Sequence, residues 1–401
     1  MQKSLLCMAA SFAMLASVCA QTPPTELRAL FDAAWDRSVA LQATNGRRQE
    51  AAASRVQADS LIAGPPSLDL RHRGDQLTQR RGVRESEIAV GVPIWMPGQR
   101  SARGALADAQ AAEAESAVTL GQLAVAAEVR ERVWQLAAAT SEREVLQRRV
   151  GVAQSLRDDV RRRLAAGDLA RTDLLFAEQD LLASQTLLAE SDARLVEARA
   201  RLLQTTGSDA LPARYEEVPV SGNTGTPHPQ LDAAQRAVER NERQVGYLQA
   251  SRRDPPEVGV TYRRDAAGGG FQSDQTIGVF IRIPFATDAR NLPRETAAQT
   301  ELMTARAQRD RTERVVQSDI DAARQSLGLA EQQLALVGQR SQTLAERAAL
   351  LRKTFNAGEI GLPEVLRAQN QALEAETDLA RVRARRGLAI ANLNQAMGVL
   401  P

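Results

Sequence analysis

The chain is written twice, and this duplication restricts the folds open to it more than any other feature. Pro65-Pro66-Ser67-Leu68-Asp69-Leu70 returns as Pro255-Pro256-Glu257-Val258-Gly259-Val260. Val90-Gly91-Val92-Pro93-Ile94-Trp95-Met96-Pro97 returns as Ile277-Gly278-Val279-Phe280-Ile281-Arg282-Ile283-Pro284. Ala166-Gly167-Asp168-Leu169, followed by Thr172-Asp173-Leu174-Leu175, returns as Ala357-Gly358-Glu359-Ile360, followed by Pro363-Glu364-Val365-Leu366. Gln204 and Gly207 return as Gln395 and Gly398. The offsets of the three blocks are 190, 187 and 191 residues, so order and spacing are both kept. Each copy carries one plan: a helix, two strands, one very long helix, a tight turn and a helix back. The copies are expected at 21–210 and 228–401, with a linker at 211–227.

No proline occurs between Pro97 and Pro212, and residues 101–166 are interrupted only by scattered glycines. Helix at 1.5 Å per residue over that stretch reaches about 100 Å, far more than a globular domain accommodates. The second copy, 294–357, is nearly as long. After the first turn, Leu174, Leu181, Leu188, Leu195 and Leu202 fall at strict sevens, and beside them run Leu175, Leu182, Ala189, Val196 and Leu203. A sustained 3.5-residue period demands left-handed packing against another helix. Taken alone, this pattern also suits an ordinary soluble coiled coil.

The strands point elsewhere. Ile88, Val90, Val92 and Ile94 alternate with Glu87, Ala89, Gly91 and Pro93, and Ile277, Val279, Ile281 and Ile283 alternate with Thr276, Gly278, Phe280 and Arg282. Period two means one apolar face. Leu68 and Leu70, and Val258, Val260 and Tyr262, are the hairpin partners across polar loops. Strands of about nine to eleven residues suit an outer-membrane barrel. Four of them cannot close one, since about eight are needed to remove open edges. Three copies would supply twelve strands and enclose a lumen wide enough for solutes; two would supply eight and leave a plugged one.

Charge and composition remove other classes. Fifty-one Lys+Arg against 49 Asp+Glu leave +2, and only Lys3 and Lys353 are lysines, so no basic patch recruits nucleic acid. Beyond residue 20, no apolar run approaches the roughly 18 residues of a spanning helix. Residues 1–20, with Lys3, an apolar run and small residues ahead of Gln21, read as a secretory signal. Cys7 and Cys19 both lie inside it, leaving a mature chain without thiols unless Cys19 is a lipid acceptor.

On these residues the chain resembles the outer membrane factors, the TolC-like exit ducts of tripartite efflux pumps and type I secretion systems. The most specific pieces are Arg163 with Gly167, Thr172, Asp173 and Leu175, then Phe355 with Gly358, Glu364 and Leu366, and the strand exit Pro97-Gly98-Gln99-Arg100. The compact length is similar to the heavy-metal (cobalt-zinc-cadmium) branch. The resemblance covers essentially the whole mature chain. It implies a mainly α fold with a small β part: a trimeric α-barrel in the periplasm and a twelve-stranded β-barrel in the outer membrane, four strands per chain. It further implies a homotrimer in outer-membrane lipid, engaged by a periplasmic adaptor and an inner-membrane transporter of RND type, with divalent metal ions as a candidate cargo.

The resemblance also assigns positions. Adaptor docking falls to Gly167, Asp168, Leu169 and Thr172 at one tip and Gly358, Glu359, Ile360 and Pro363 at the other. The two glycines also have a plain use, to end helices. The periplasmic aperture falls to Asp173, Phe355, Glu364 and Arg367. Phe355 stands where the family places a tyrosine hydroxyl and Arg367 where it places a second acid, so Phe355 cannot hydrogen-bond to Asp173. Glu364 and Arg367 read equally well as an exposed i to i+3 ion pair.

No nucleophile, metal or phosphate motif survives inspection, so neither an enzyme nor a cofactor is expected. Gly268-Gly269-Gly270 lacks the setting of a phosphate loop. His72 and His228 are single, the first near a strand end and the second opening a helix between two prolines. Trp95 and Phe285 suit either an interfacial belt or packing where strands meet helices, and Trp35 and Trp134 suit helix packing. The competing class is a periplasmic adaptor or coiled-coil scaffold, which normally has one hairpin flanked by β-rich domains.

Overall fold

A computed structural model describes residues 26–75, 77, 82–220, 222, 227–267 and 272–401. The expected signal segment with both cysteines, and Gly268 to Gly270, lie outside these residues. The elements run α1 (Leu27–Arg37), α2 (Val39–Asp59), β1 (Ser67–Gly74), β2 (Val83–Pro93), α3 (Gln99–Ala166), α4 (Arg171–Thr206), α5 (Pro229–Ala250), β3 (Glu257–Ala267), β4 (Asp274–Arg282), α6 (Asp288–Asn356) and α7 (Leu362–Ala396). The chain is mostly helical with one small sheet.

The proline-free runs become single helices: α3 has 68 residues and α6 has 69, each about 100 Å long. The opening helix expected of the first copy is instead two. Ser38 breaks it, donating to the Trp35 carbonyl at 2.8 Å and accepting from the Leu41 N–H at 3.1 Å, which caps α2. α6 also starts six residues ahead of the expected Arg294 and contains Pro293. Proline removes one ladder bond. Arg290 pairs with Asp254 and Asn291 donates to the Arg252 carbonyl at 2.9 Å, which fixes the turn before the proline.

Short helices pack end to end along the long ones. Residues 103–115 of α3 lie beside α2 and α5, through Arg48 to Glu115 and Arg240 to Glu113. From residue 123 onward α3 lies beside α4 and α7, through Arg143 to Asp192 and Arg148 to Glu376. α6 takes α5 and then α7 in the same way, through Arg306 to Glu242 and Arg340 to Asp378. The wall therefore has the order α2, α3, α5, α6 near the sheet and α4, α3, α7, α6 away from it. Its cores are strung along the helix seams: Val129, Val133 and Leu136 of α3 meet Leu195 and Leu202 of α4 and Leu30 of α1.

The segment after α4 is packed rather than loose. The Leu27 N–H donates to the Arg214 carbonyl at 3.0 Å, and the Tyr215 ring meets Trp134 edge-on at 5.2 Å. Arg130 in α3 is 1% exposed and grips both oxygens of Glu217 at 2.9 and 2.6 Å, the Gln395 side chain at 2.6 Å and the Val399 carbonyl at 3.0 Å. A fully bonded guanidinium is tolerated in a core; the same charge without its carboxylate is not.

The sheet order is β1-β2-β3-β4, antiparallel throughout. Leu68 pairs with Val90, Val90 with Val260 and Val260 with Val279; the next apolar row is Leu70, Ile88, Tyr262 and Ile277. Both hairpins thus turn their apolar residues to one side of a single sheet.

Candidate functional site

Two regions hold residues whose chemistry the packing alone does not explain: the pair of helix-turn-helix tips and the sheet. At the first tip α3 ends on Gly167, whose φ of +87° is the left-handed region that glycine adopts without strain. Asp168 N–H donates to the Arg163 carbonyl at 2.9 Å and Gly167 N–H to Leu164 at 3.0 Å. The second tip repeats this at Gly358, φ +80°, with Glu359 N–H to the Thr354 carbonyl at 3.1 Å and Gly358 N–H to Phe355 at 3.0 Å. These paired bonds close orphan carbonyls at both helix ends.

The tips share one core. Leu156 and Val160 from α3, Ala177 from α4, Phe355 from α6, and Leu362, Val365 and Leu366 from α7 are buried together, with Leu169 and Ile360 of the two turns packed onto them. Gly167, Asp168, Thr172, Gly358, Glu359 and Pro363 are exposed. Phe355 is 3% exposed and belongs to the interior of the paired tips. Arg163 reaches across from the first tip: its guanidinium lies 5.0 Å from the Phe355 ring centre and donates to the Asn356 side chain at 3.0 Å.

The acids of the two tips behave differently. Asp173, third residue of α4, accepts from the Ala170 N–H at 3.1 Å and so caps its own helix. Glu364 occupies the same place in α7, behind Pro363, and its side chain has no hydrogen bond or ion pair among the described residues. The expected ion pair between Glu364 and Arg367 is not formed; both are exposed. No group of three His, Cys, Asp or Glu among the described residues is placed to hold a metal.

The sheet has two unlike faces. On one, Leu68, Leu70, Ile88, Val90, Val260, Tyr262, Ile277, Val279 and Ile281 are all exposed, Val279 at 82%. On the other, Arg263 pairs with Glu85 at 3.0 Å, Arg71 with Glu87 at 3.7 Å, Arg73 with Glu85 at 3.8 Å, and Arg282 with Glu257 at 2.6 Å. Gly91 and Gly259 lie on this face because Glu257 and Phe280 side chains lie over them, where a Cβ would collide. β1 and β4 are edge strands with one side unpaired. Trp95 donates to the Ser60 carbonyl at 2.9 Å and is packing at the strand-to-helix junction, while Phe285 is exposed.

The two heptad stripes of α4 part company. Leu181, Leu195 and Leu202 are buried against α3, while Leu175, Leu182, Ala189, Val196 and Leu203 face outward on the edge of the wall. At the opposite edge α6 carries a second exposed stripe at sevens: Val315, Ala322, Leu329, Leu336, Thr343 and Leu350. No helix among the described residues is long and apolar enough to cross a membrane.

Sequence reasoning missed the Arg130 lock, although a signal existed: Arg130 falls seven residues after Leu123 and seven before Ala137, both buried. It also missed Glu142, which is 9% exposed and bridges Arg194 of α4 at 3.1 Å to Arg381 of α7 at 2.6 Å. Gly387 lies directly under the Trp134 ring, a fit that no single-residue pattern announces.

Solved structures with this architecture exist. The Vibrio cholerae outer membrane protein VceC is 18% identical over 93% of this chain and 96% of that one, with a TM-score of 0.72. CusC, described for its transmembrane channel formation, is 15% identical over 94% of this chain and 92% of its own, with a TM-score of 0.75. The Campylobacter jejuni CmeC outer membrane channel is 14% identical over 99% and 94%, with a TM-score of 0.70. No protein-family model and no curated protein matches the chain. At these identities the likeness is one of architecture, and on it the chain has the fold of the outer membrane channels VceC, CusC and CmeC.

Proposed function

We propose that this chain is a TolC-like outer membrane factor: three copies form a passive exit duct, with a twelve-stranded barrel in the outer membrane and a helical barrel in the periplasm. The observation that carries the reading is the sheet, apolar and exposed on one face, charged on the other, and open at both edges. In water such a face is an aggregation hazard. In lipid it is a barrel wall. Rows from Ile94 and Ile283 through Val92, Val90 and Ile88 make four apolar layers; two residues apart at about 3.4 Å each, the outermost stand about 20 Å apart along the strands and about 15 Å apart once tilted by 35–45°, which fits within the apolar band of outer-membrane barrels. Unpaired edge groups cost several kcal/mol each in hydrocarbon, so β4 of one copy must pair with β1 of the next.

The helical wall supports the same assembly. The exposed stripe of α4 and that of α6 lie at opposite edges, the requirement for a head-to-tail contact that closes into a ring. Both repeat at seven residues, so they can interlock as a coiled-coil seam. Covering the exposed half of each large side chain contributes on the order of 1 kcal/mol.

The tips then point into the periplasm. Gly167, Asp168, Leu169, Thr172, Gly358, Glu359, Ile360 and Pro363 are the surface for an adaptor, which couples the duct to an inner-membrane transporter of RND type. Three copies of Glu364 and Arg367 line the aperture. The resemblance to the heavy-metal branch makes divalent cations the cargo to test first, by growth of a deletion strain on cobalt, zinc and cadmium. The assembly itself is tested by imaging the detergent-extracted protein: threefold cylinders with a helical section about 100 Å long are expected, and compact single copies would contradict the reading.

A further inference from the structure

The arginines of the sheet divide by face. All four on the charged face are paired with carboxylates of that face: Arg71, Arg73, Arg263 and Arg282. Among the described residues, the two on the apolar face, Arg84 and Arg264, have no ion pair or hydrogen bond from their side chains, and no carboxylate lies on that face. The position of these two along the strands is equally unlike the rest. Moving toward the hairpin ends, the apolar face passes from Leu70, Ile88, Tyr262 and Ile277 to His72, Ser86, Arg264 and Gln275 within two residues, and then to Gly74, Arg84 and Ala266. The greasy band stops in a single step.

Arg84 and Arg264 are diagonal neighbours on β2 and β3, since Arg84 pairs with Ala266 and Ser86 with Arg264. Diagonal neighbours on one face stand about 7–8 Å apart, so two unneutralised guanidiniums repel each other there unless an anion sits between or above them. Beside them the His72 imidazole and the Ser86 hydroxyl are 3.0 Å apart, adding polar groups to the same rim. At the other end of the band the outward positions are Ile94, Pro256 and Ile283, with no cation. The cationic rim is therefore one-sided.

From this geometry we propose that Arg84 and Arg264 form a docking rim for the phosphate groups of lipid headgroups in the leaflet at the hairpin ends of the barrel. The proposal rests on the membrane reading above. Guanidinium forks match phosphate oxygens two at a time, and rim arginines just beyond an apolar band reach headgroups while the band itself meets acyl chains. The lipid supplies the counter-charge that the face lacks, and the one-sidedness fits a membrane whose two leaflets differ in phosphate content. Three copies would present six such arginines around the barrel.

The test uses the full chain in detergent, with fluorescent bis-phosphorylated lipid A and its dephosphorylated form as probes. Wild type is expected to prefer the phosphorylated lipid, and Arg84→Gln with Arg264→Gln to lose about twenty-five-fold of that affinity, at about fivefold per arginine near an anionic surface. Arg71→Gln, on the opposite face, is expected to keep the preference. Equal binding of both lipids by wild type, or an unchanged preference in the double variant, overturns the rim; so does full displacement by millimolar inorganic phosphate, which marks a general anion site. Insertion of each protein into phosphatidylcholine vesicles is scored in parallel. Alkali-resistant insertion without lipid preference removes the rim alone, whereas failure to insert removes the membrane reading and the rim with it.

Discussion

The two tips are built on the same turn and spend their acids differently. Gly167 and Gly358 have nearly the same backbone and the same pair of closing hydrogen bonds, and Asp173 and Glu364 stand third in the helices that follow. Yet Asp173 is turned back onto the Ala170 N–H, while Glu364, behind Pro363, stays free. Duplication thus preserved what the chain needs in order to reverse direction. It did not preserve the use of the acid: only at the first tip does the carboxylate cap its own helix. The shared core between them, centred on Phe355, packs the two tips as one unit.

The largest effect on the two tips is expected at that core. Phe355→Ala empties the centre of both tips and is expected to cost about 3–5 kcal/mol, seen as early proteolysis in both turns while the sheet end keeps its protection. Cleavage at the second tip alone would show that the tips are independent. Next come the turns: Gly167→Val and Gly358→Val each force a branched side chain into left-handed backbone, at about 1–2 kcal/mol, and similar losses in thermal unfolding are expected from both because neither glycine is crowded by a neighbour. The acids sharpen the contrast. Asp173→Ala removes a cap worth about 0.5–2 kcal/mol, whereas Glu364→Ala is expected to leave unfolding unchanged and to alter cation selectivity in planar bilayers; the reverse assignment would invert the account of the tips.

The smallest effect belongs to the opposite ends of the same helices. His228 caps α5 by accepting from the Gln230 N–H at 3.2 Å through Nδ1, and its Nε2 meets the Ala396 carbonyl at 3.1 Å. Burial lowers the imidazole pKa below its ordinary 6.5, against the opposing pull of that carbonyl and of Asp319. The neutral ring is the one the fold uses, so stability from this cap is complete above about pH 6.5 and declines as pH falls through the lowered value. The decline is expected to stay under about 1 kcal/mol. Thermal unfolding between neutral and mildly acid pH measures it, and His228→Asn should flatten the profile.

Much of this was legible because it rests on period. Strand alternation at Ile88, Val90, Ile277 and Val279 told which face is apolar, and Leu181, Leu195 and Leu202 told which side of α4 is buried. The second stripe, from Leu175 to Leu203, was visible too, but a sequence cannot say whether its partner lies in the same chain; among the described residues it does not. Turn glycines announced both reversals. What stayed hidden depends on distant meetings: Arg130 finding Glu217 and Gln395, Trp134 resting on Gly387, and Phe355 entering a core made by both halves. Phe355 was assigned to an aperture by the resemblance alone, and its ring packs in the core that both tips share.

In the proposed duct one chain holds a third of the barrel wall. The most direct test is the mass of the unheated complex extracted by detergent from the outer-membrane fraction, compared with the heated sample. A species of three chains that heating converts to one is expected. A single copy, recovered soluble and monodisperse without detergent, would contradict it.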